Sequence, residues 1–529
     1  MLNREKALEQ LSKSETQYDL LVVGGGSTGL GVALDAVSRG YQVALVEQAD
    51  FAKGTSSRST KLVHGGVRYL AQGDVFLVLE ALKERGRLLK NAPHLTKNQS
   101  FVIPIYTTFD LVQYTVGLTL YDWLAGGLSL GSSHYINKEK TLEAIPTINP
   151  EGLKGGVVYQ DGQFDDARLA LALAQTIAKQ GGVVLNHTKV TGLIKNQAGK
   201  VAGATAEDVE TGQTYDIQAK AVVNCTGIFV DDLLQMDQPA QRKMIRPSQG
   251  VHIVLDKSFL PGDHAIMIPK TSDGRVLFCV PWHDKIVVGT TDTLREEPEL
   301  EPQALEKEIN FILETAQANL AKKPERKDVL ATFAGLRPLA APKEEGKSTK
   351  EISRSHKVLV SGSGLLTVTG GKWTTFRKMG EDAVDKAIKV AGLAPKASTS
   401  IDMKIHGYAP NPDLNNHMYV YGSDEAAIRQ MMIENEEWAQ PLHPDYPYTK
   451  AQVIWAVRQE MARTVEDVLS RRIRILLLDS QAAVDMAPIV AQIMKDELGQ
   501  DDNWVSTQLQ SFSETASKYA LGMTFSEKI

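Results

Sequence analysis

The first strong pattern in the chain is a short apolar run, Tyr18 to Val23, followed at once by Gly24-Gly25-Gly26-Ser27-Thr28-Gly29. Leu30, Ala33, Leu34 and Val37 then recur at helical spacing and stop at Gly40. Tyr41 to Val46 is a second apolar run, and it ends at Glu47. A buried strand, a glycine turn, a helix and a strand closed by an acid predict a βαβ unit over 18–47. Further on, Asp166 to Lys179 predicts an amphipathic helix and Gly182 to Asn186 a strand. Residues 188–220 alternate in short strand-like runs that end in the apolar strand Ala221-Val222-Val223. Residues 246–295 hold several β-type runs broken by Pro, Gly and Asp, which predicts an antiparallel sheet. Residues 301–325 return to a helical pattern, 395–416 lack periodicity and mark a boundary, and 423–525 are mostly helical, especially 449–478.

Composition narrows the class. At about 150 residues per domain, 529 residues predict several domains. With 43% hydrophobic and 23% charged residues the chain can bury sizeable cores, which excludes a disordered protein. A net charge of −6 argues against nucleic acid as a partner. Two cysteines, Cys225 and Cys279, supply neither a disulfide framework nor a four-thiolate zinc site, and they point to a reducing compartment. No histidine pair has metal-ligand spacing, so no metal is predicted. The polar start of the chain is not a secretory signal, and no apolar stretch is long enough for a spanning helix. A cytoplasmic protein, free or bound to a membrane surface, is expected.

The candidate chemistry begins at Gly24, Gly26 and Gly29. They allow, in turn, a tight turn, a close backbone approach to a pyrophosphate, and helix–strand packing; the helix N-terminus adds partial positive charge. Glu47 suits a ribose, so a dinucleotide is predicted, without separating NAD from FAD. Further glycine-bearing segments follow at 54–70, at Asn224-Cys225-Thr226-Gly227 and at Gly370-Gly371-Lys372-Trp373-Thr374-Thr375. Turns spread so widely suit a long extended dinucleotide better than a single nicotinamide fold. The adjacent acids Asp165 and Asp166 read as a helix N-cap and a first-turn charge rather than a catalytic pair.

In these segments the chain resembles the FAD-dependent glycerol-3-phosphate dehydrogenases of the aerobic respiratory type. The match includes TSSRSTKLVHGGVRYL at 55–70, DDARL at 165–169, NCTG at 224–227, GTTD at 289–292, GLRPL at 335–339, GGKWTTFRKM at 370–379 and the helical stretch 448–479. Trp373, where the family often has Leu, and the polar extension 1–17 are departures. The resemblance implies an α/β flavoprotein of the glutathione-reductase and D-amino-acid-oxidase type. Its Rossmann-like FAD-binding domain is expected over 18–100, 165–245 and 351–395. An antiparallel β substrate domain is expected over 101–164 and 246–350, a linker over 396–422 and a helical domain over 423–529.

It also implies site residues. FAD would be held by Gly24, Gly26, Gly29, Glu47, Thr55, Ser56, Lys61, Leu62, Gly65, Thr226, Gly227, Gly371, Lys372 and Thr374. Arg337 and Arg354 would bind the substrate phosphate, since guanidinium forks suit a dianion. Arg68 and Tyr69 would line the substrate cavity. Oxidising a secondary alcohol needs a base, and His64 and His252 both stay open for that role, with Lys372 holding positive charge near the reaction. The implied reaction converts sn-glycerol 3-phosphate to dihydroxyacetone phosphate, with electrons passing to a quinone. The alternatives are an oxidase that uses O2 and makes hydrogen peroxide, and a catalytically silent FAD-binding protein. Family members are typically peripheral membrane enzymes; pairing as a homodimer stays open. Residues 101–131 carry only Asp110 and Asp122 as charges and read first as a buried helix, with membrane contact as the alternative. The arginines Arg458, Arg463, Arg471, Arg472 and Arg474 suit either a solvated or domain-contacting face or anionic lipid.

Overall fold

The computed structural model describes residues 2–13, 16–66, 74–239, 242–340 and 356–522. The predicted βαβ unit forms: strand Gln17–Val23, helix Ser27–Ser38 and strand Val43–Val46, with the two strands parallel. Both strands are almost wholly buried, which is why they read as continuous apolar runs. Gln17–Val23 also pairs in parallel with Thr214–Asn224, which in turn pairs with Leu366–Thr369. Among the described residues the sheet so formed has eight strands: it runs from Lys357–Val360 through Leu366–Thr369, Thr214–Asn224, Gln17–Val23 and Val43–Val46 to Val183–Leu185, and Val201–Asp208, itself paired with Thr188–Lys195, joins it at Thr214–Asn224. Helix Asp166–Lys179 has the predicted bounds and is buried along most of its length.

The second sheet has ten strands and is antiparallel except where Ala265–Ile268 meets Thr96–Ile105. Its central ladder joins Ile245–Asp256 to Val329–Ala340 over nearly their full length. The expected boundary at residue 100 is corrected here: it would cut the continuous strand Thr96–Ile105. That strand and Leu62–Val63 both belong to this second sheet.

The remaining segments differ from expectation in instructive ways. The expected linker 396–422 is packed, not loose: Ser398 and Ser400 donate to the buried Asp35 carboxylate, and Met418, Val420 and Tyr421 lie in the main core. The polar extension at the start forms a helix, Arg4–Leu11, that buries Ala7 and Leu11, and Arg4 bonds Asp208 at 2.6 Å. The stretch 449–478 is helical as expected, in three pieces. Helix Lys450–Glu460 stops at Met461 (φ 56°), and the Asp467 carboxylate accepts the Arg463 and Thr464 N–H groups to start a new turn. Among the described residues, no helix is long and apolar enough to cross a membrane.

Candidate active site

A cavity of about 670 Å³ lies where the two sheets meet, and most of the sequence-predicted site residues converge on it. At one end, Gly24 has φ 111°, and a Cβ there would come within 2.6 Å of the Cys225 carbonyl oxygen, so glycine is required. The helix Ser27–Ser38 starts at Gly26 with no side chain capping it. Its end therefore opens toward the cavity, while Ser56 Oγ accepts the Ser27 N–H at 2.9 Å. Glu47, at the end of its strand, accepts the Gly25 and Ala49 N–H groups at 2.6 and 2.9 Å. Each carboxylate oxygen keeps a lone pair for a ribose hydroxyl.

The cavity runs on past Thr55, Thr226 and Gly227 to Leu62, Gly371, Lys372 and Thr374. His64 lines the same stretch, and its backbone N–H donates to Thr374 Oγ1 at 3.2 Å. Trp373, the departure noted above, donates its indole N–H to the Ser56 carbonyl at 2.8 Å and so ties two cavity-lining segments together. An uncapped helix end, a ribose acid and successive backbone turns along one elongated cavity fit FAD.

The other wall is the ladder between Ile245–Asp256 and Val329–Ala340. In its register Arg337 lies opposite Ser248, Gly335 opposite Gly250, and Phe333 opposite His252. Alternation along the strands brings Arg337 and His252 to the cavity face. Arg337 Nη2 donates to Thr290 Oγ1 at 3.1 Å, and Nη1 stands 3.8 Å from Asp292, which also accepts the Ser248 hydroxyl. A Cβ on Gly250 would lie 2.3 Å from Arg337 Nη2, so this glycine makes room for the guanidinium.

His252 is 2% exposed, its ring stacks on Phe333 at 4.7 Å, and Nε2 shares a 2.9 Å hydrogen bond with Thr60. Burial first, then the charges of Arg337 and Lys61, push this imidazole well below the usual histidine range. It is therefore neutral at neutral pH. Thr60, Thr290 and Phe333 were not singled out from the sequence. Thr290 stands inside the GTTD motif, but Phe333 carries no local signal.

Three predicted cofactor residues lie off the cavity lining. The Lys61 ammonium is fully buried, bonding Asp166 at 2.8 Å and the Ser57 carbonyl at 2.6 Å beneath the Trp282 ring. It fastens the 57–61 segment to the helix Asp166–Lys179. Gly29 is a packing position, where a Cβ would stand 1.9 Å from the Gly24 carbonyl oxygen. Gly65 donates its N–H to Tyr121 Oη at 2.8 Å and packs on Leu82. Arg68, Tyr69 and Arg354 lie outside the described residues.

The acids at 165–166 cap and charge the helix as read, with Asp165 accepting the Arg168 N–H at 3.0 Å. They do more besides. Asp165 also bonds His283 at 3.0 Å and Arg474 at 2.7 Å; these partners overcome burial and hold its carboxyl well below the usual range. The lipid reading of Arg471, Arg472 and Arg474 is overturned, because all three are buried. Arg471 bonds Asp50 at 2.5 Å and Asp467 at 2.8 Å, and Arg472 bonds Asp50 at 3.0 Å. Arg458 and Arg463 pair with Glu497 and Glu210. Among the described residues, Asp50, His187 and Asp467 form one cluster of metal-ligand type. The two arginines already neutralise it, so it reads as an ionic tie.

Comparison with known proteins places this arrangement. Residues 19–377 match the model of the FAD dependent oxidoreductase family, and 379–504 match the C-terminal domain of alpha-glycerophosphate oxidase. A probable mitochondrial glycerol-3-phosphate dehydrogenase of Caenorhabditis elegans is 40% identical over 97% of this chain and 74% of its own length. The mitochondrial glycerol-3-phosphate dehydrogenase of Homo sapiens is 39% identical over 98% and 75%. The crystal structure of the Bacillus halodurans glycerol-3-phosphate dehydrogenase complexed with FAD is 31% identical, with a TM-score of 0.80 over 97% of both chains. An L-alpha-glycerophosphate oxidase from Mycoplasma pneumoniae shares the fold at a TM-score of 0.56 and 18% identity, over 73% of this chain and 98% of that one. With two family models that together span nearly the whole chain, and a relative 40% identical over 97% of it, the chain belongs to the FAD-dependent glycerol-3-phosphate dehydrogenase family.

Proposed function

We propose that the chain oxidises sn-glycerol 3-phosphate to dihydroxyacetone phosphate and passes the electrons to a quinone. The observation that carries this reading is the cavity wall on which Arg337 and His252 stand four register positions apart on one face, opposite the glycine turns of a dinucleotide site. Arg337 suits the substrate phosphate, with Thr290 holding the guanidinium in place. Oxidation removes a hydride from C2 and a proton from its hydroxyl. FAD, bound along the glycine turns, supplies the acceptor for that hydride. The proton goes to a histidine.

His252 suits the base role because burial keeps it neutral and Thr60 with Phe333 fixes its ring. The phosphate dianion would also offset the Arg337 charge that depresses His252. The base would thus gain proton affinity when substrate arrives. His64, in the same cavity, is the alternative base, and Lys372 would hold positive charge beside the developing oxyanion. Arg354, and Arg68 with Tyr69, keep their proposed places at the phosphate and the cavity. The FAD site would comprise the cavity-lining residues named above, with Gly29 and Gly65 shaping it through packing.

Steady-state assays with a quinone analogue and with an oxygen electrode test the acceptor. Rapid quinone reduction with little oxygen uptake is expected. Oxygen uptake at an equal rate with peroxide formed would make the chain an oxidase, and no turnover with either would leave a silent flavoprotein.

A further inference from the structure

The two nitrogens of the His252 ring meet different surroundings. Nδ1 is buried and has no hydrogen-bond partner among the described residues, whereas Nε2 stands 2.9 Å from Thr60 Oγ1. A histidine that takes up a proton is commonly oriented by a hydrogen bond at its other nitrogen. Here the ring is fixed without one. It stacks on Phe333 at 4.7 Å, and it lies over Gly289, where a Cβ would come within 2.3 Å of Cδ2. A neutral imidazole has one N–H and one lone pair. With the lone pair on Nδ1, the base is sealed away from any substrate. With the lone pair on Nε2, it meets Thr60.

Thr60 lines the same cavity as Arg337 and His252, and among the described residues its hydroxyl bonds His252 alone. The chain on either side of it is tied down. The Asp166 carboxylate accepts the Ser59 hydroxyl at 2.7 Å and the Ser59 N–H at 3.2 Å. Ser59 Oγ in turn accepts the Lys61 N–H at 3.0 Å, and the Lys61 ammonium bonds both Asp166 and the Ser57 carbonyl. None of these ties uses the Thr60 side chain. A hydroxyl donates one hydrogen bond and accepts two. Thr60 can therefore donate to Nε2 and still accept from a substrate hydroxyl.

We propose that Thr60 is a further catalytic residue, whose hydroxyl relays the proton of the substrate C2 hydroxyl to His252 Nε2. The relay rests on the proposed assignment of His252 as the base. The C2 hydroxyl loses its proton to Thr60 Oγ1 as the original Thr60 proton bonds to Nε2. The hydride leaves C2 for the FAD acceptor, and the C2–O bond becomes a carbonyl. Thr60 ends as a hydroxyl again, and His252 ends as the imidazolium.

The test uses the full-length, FAD-loaded protein in anaerobic rapid mixing with sn-glycerol 3-phosphate. Thr60→Val keeps the shape of the side chain and removes the hydroxyl. Flavin reduction should slow roughly 100-fold, while FAD content and the affinity for dihydroxyacetone phosphate stay close to those of the parent. Thr60→Ser, which restores the hydroxyl, should return most of the rate. The reduction rate plotted against the deuterium content of the solvent should curve in the parent, where two protons move together, and run straight in Thr60→Val. Adding Thr60→Val to His252→Gln should cost little more, because the relay has already lost its end. Nitrogen NMR on isotopically labelled histidine reads the contact without turnover: the His252 Nε2 signal, identified by its absence from His252→Gln, should move in Thr60→Val. If Thr60→Val loses FAD, Thr60→Ala is read in its place. Reduction at the parental rate in the variant, an Nε2 signal that does not move, or a straight line in the parent would overturn the relay while leaving His252 as the base. Reduction of His252→Gln at the parental rate would instead refute the base assignment, and the relay with it.

Discussion

Replacing Arg337 by Ala separates substrate binding from the chemistry of the base. The guanidinium is held by Thr290 at 3.1 Å over Gly250, with Asp292 3.8 Å away. A hydrogen bond to a charged group contributes roughly 1.5–3 kcal/mol, which at about 1.4 kcal/mol per tenfold lowers the affinity for glycerol 3-phosphate roughly 10- to 150-fold. Loss at the upper end is expected, because the Asp292 carboxylate would then lie near the phosphate without the intervening positive charge. Some of the loss should appear in kcat, since phosphate binding orients C2. The variant should also move the pH profile of anaerobic flavin reduction. Arg337 is one of the charges that depress His252, so its removal raises the His252 pKa. A base must be deprotonated to act, and the acid limb should therefore shift to higher pH. Arg337→Lys should restore part of the affinity and most of the pH profile, as a point charge replaces the fork. Glycerol, which lacks the phosphate, should lose little. Equal damage to glycerol and glycerol 3-phosphate oxidation, with FAD retained, would refute the phosphate role.

Three further outcomes are expected. Gly26→Val should yield a folded protein that purifies colourless, because a Cβ there meets only Ser56 within 4 Å, while the side chain would occupy the pyrophosphate approach; stoichiometric FAD in the purified variant would refute that placement. His252→Gln should slow anaerobic flavin reduction by roughly 100-fold or more with FAD content intact, the scale of general base catalysis. His64→Gln showing the larger loss in rapid-mixing experiments would transfer the role. Arg168→Met should destabilise the protein by about 3–5 kcal/mol in denaturant unfolding, since it strands the fully buried Glu460 that Arg168 bonds at 2.7 Å; Arg168→Met/Glu460→Leu should recover much of that loss, and a double variant as unstable as the single one would contradict the ionic account.

The sequence pattern carried the helix Asp166–Lys179 to the residue and the elements of the βαβ unit to within about three residues, because each is a local period bounded by glycine or an acid. Its failures share a cause. Lys61, Arg471, Arg472 and Arg474 are charged residues with partners far away in sequence, and nothing local reveals that they are buried. The helix Thr108–Ala125 failed in the opposite sense. Its low charge suggested burial, whereas one apolar face is exposed. The cavity wall formed by Ile245–Asp256 and Val329–Ala340 was readable only through motifs, since the pairing of His252 with Phe333 and Arg337 with Ser248 is set by strand register between segments some eighty residues apart.

The most direct test of the account is an anaerobic titration of the FAD-loaded protein with sn-glycerol 3-phosphate. The account predicts that the yellow flavin absorbance bleaches and that one equivalent of dihydroxyacetone phosphate forms per flavin reduced. Glycerol at the same concentration should bleach it far more slowly. A flavin that stays oxidised with saturating glycerol 3-phosphate, in protein that retains its FAD, would contradict the central claim.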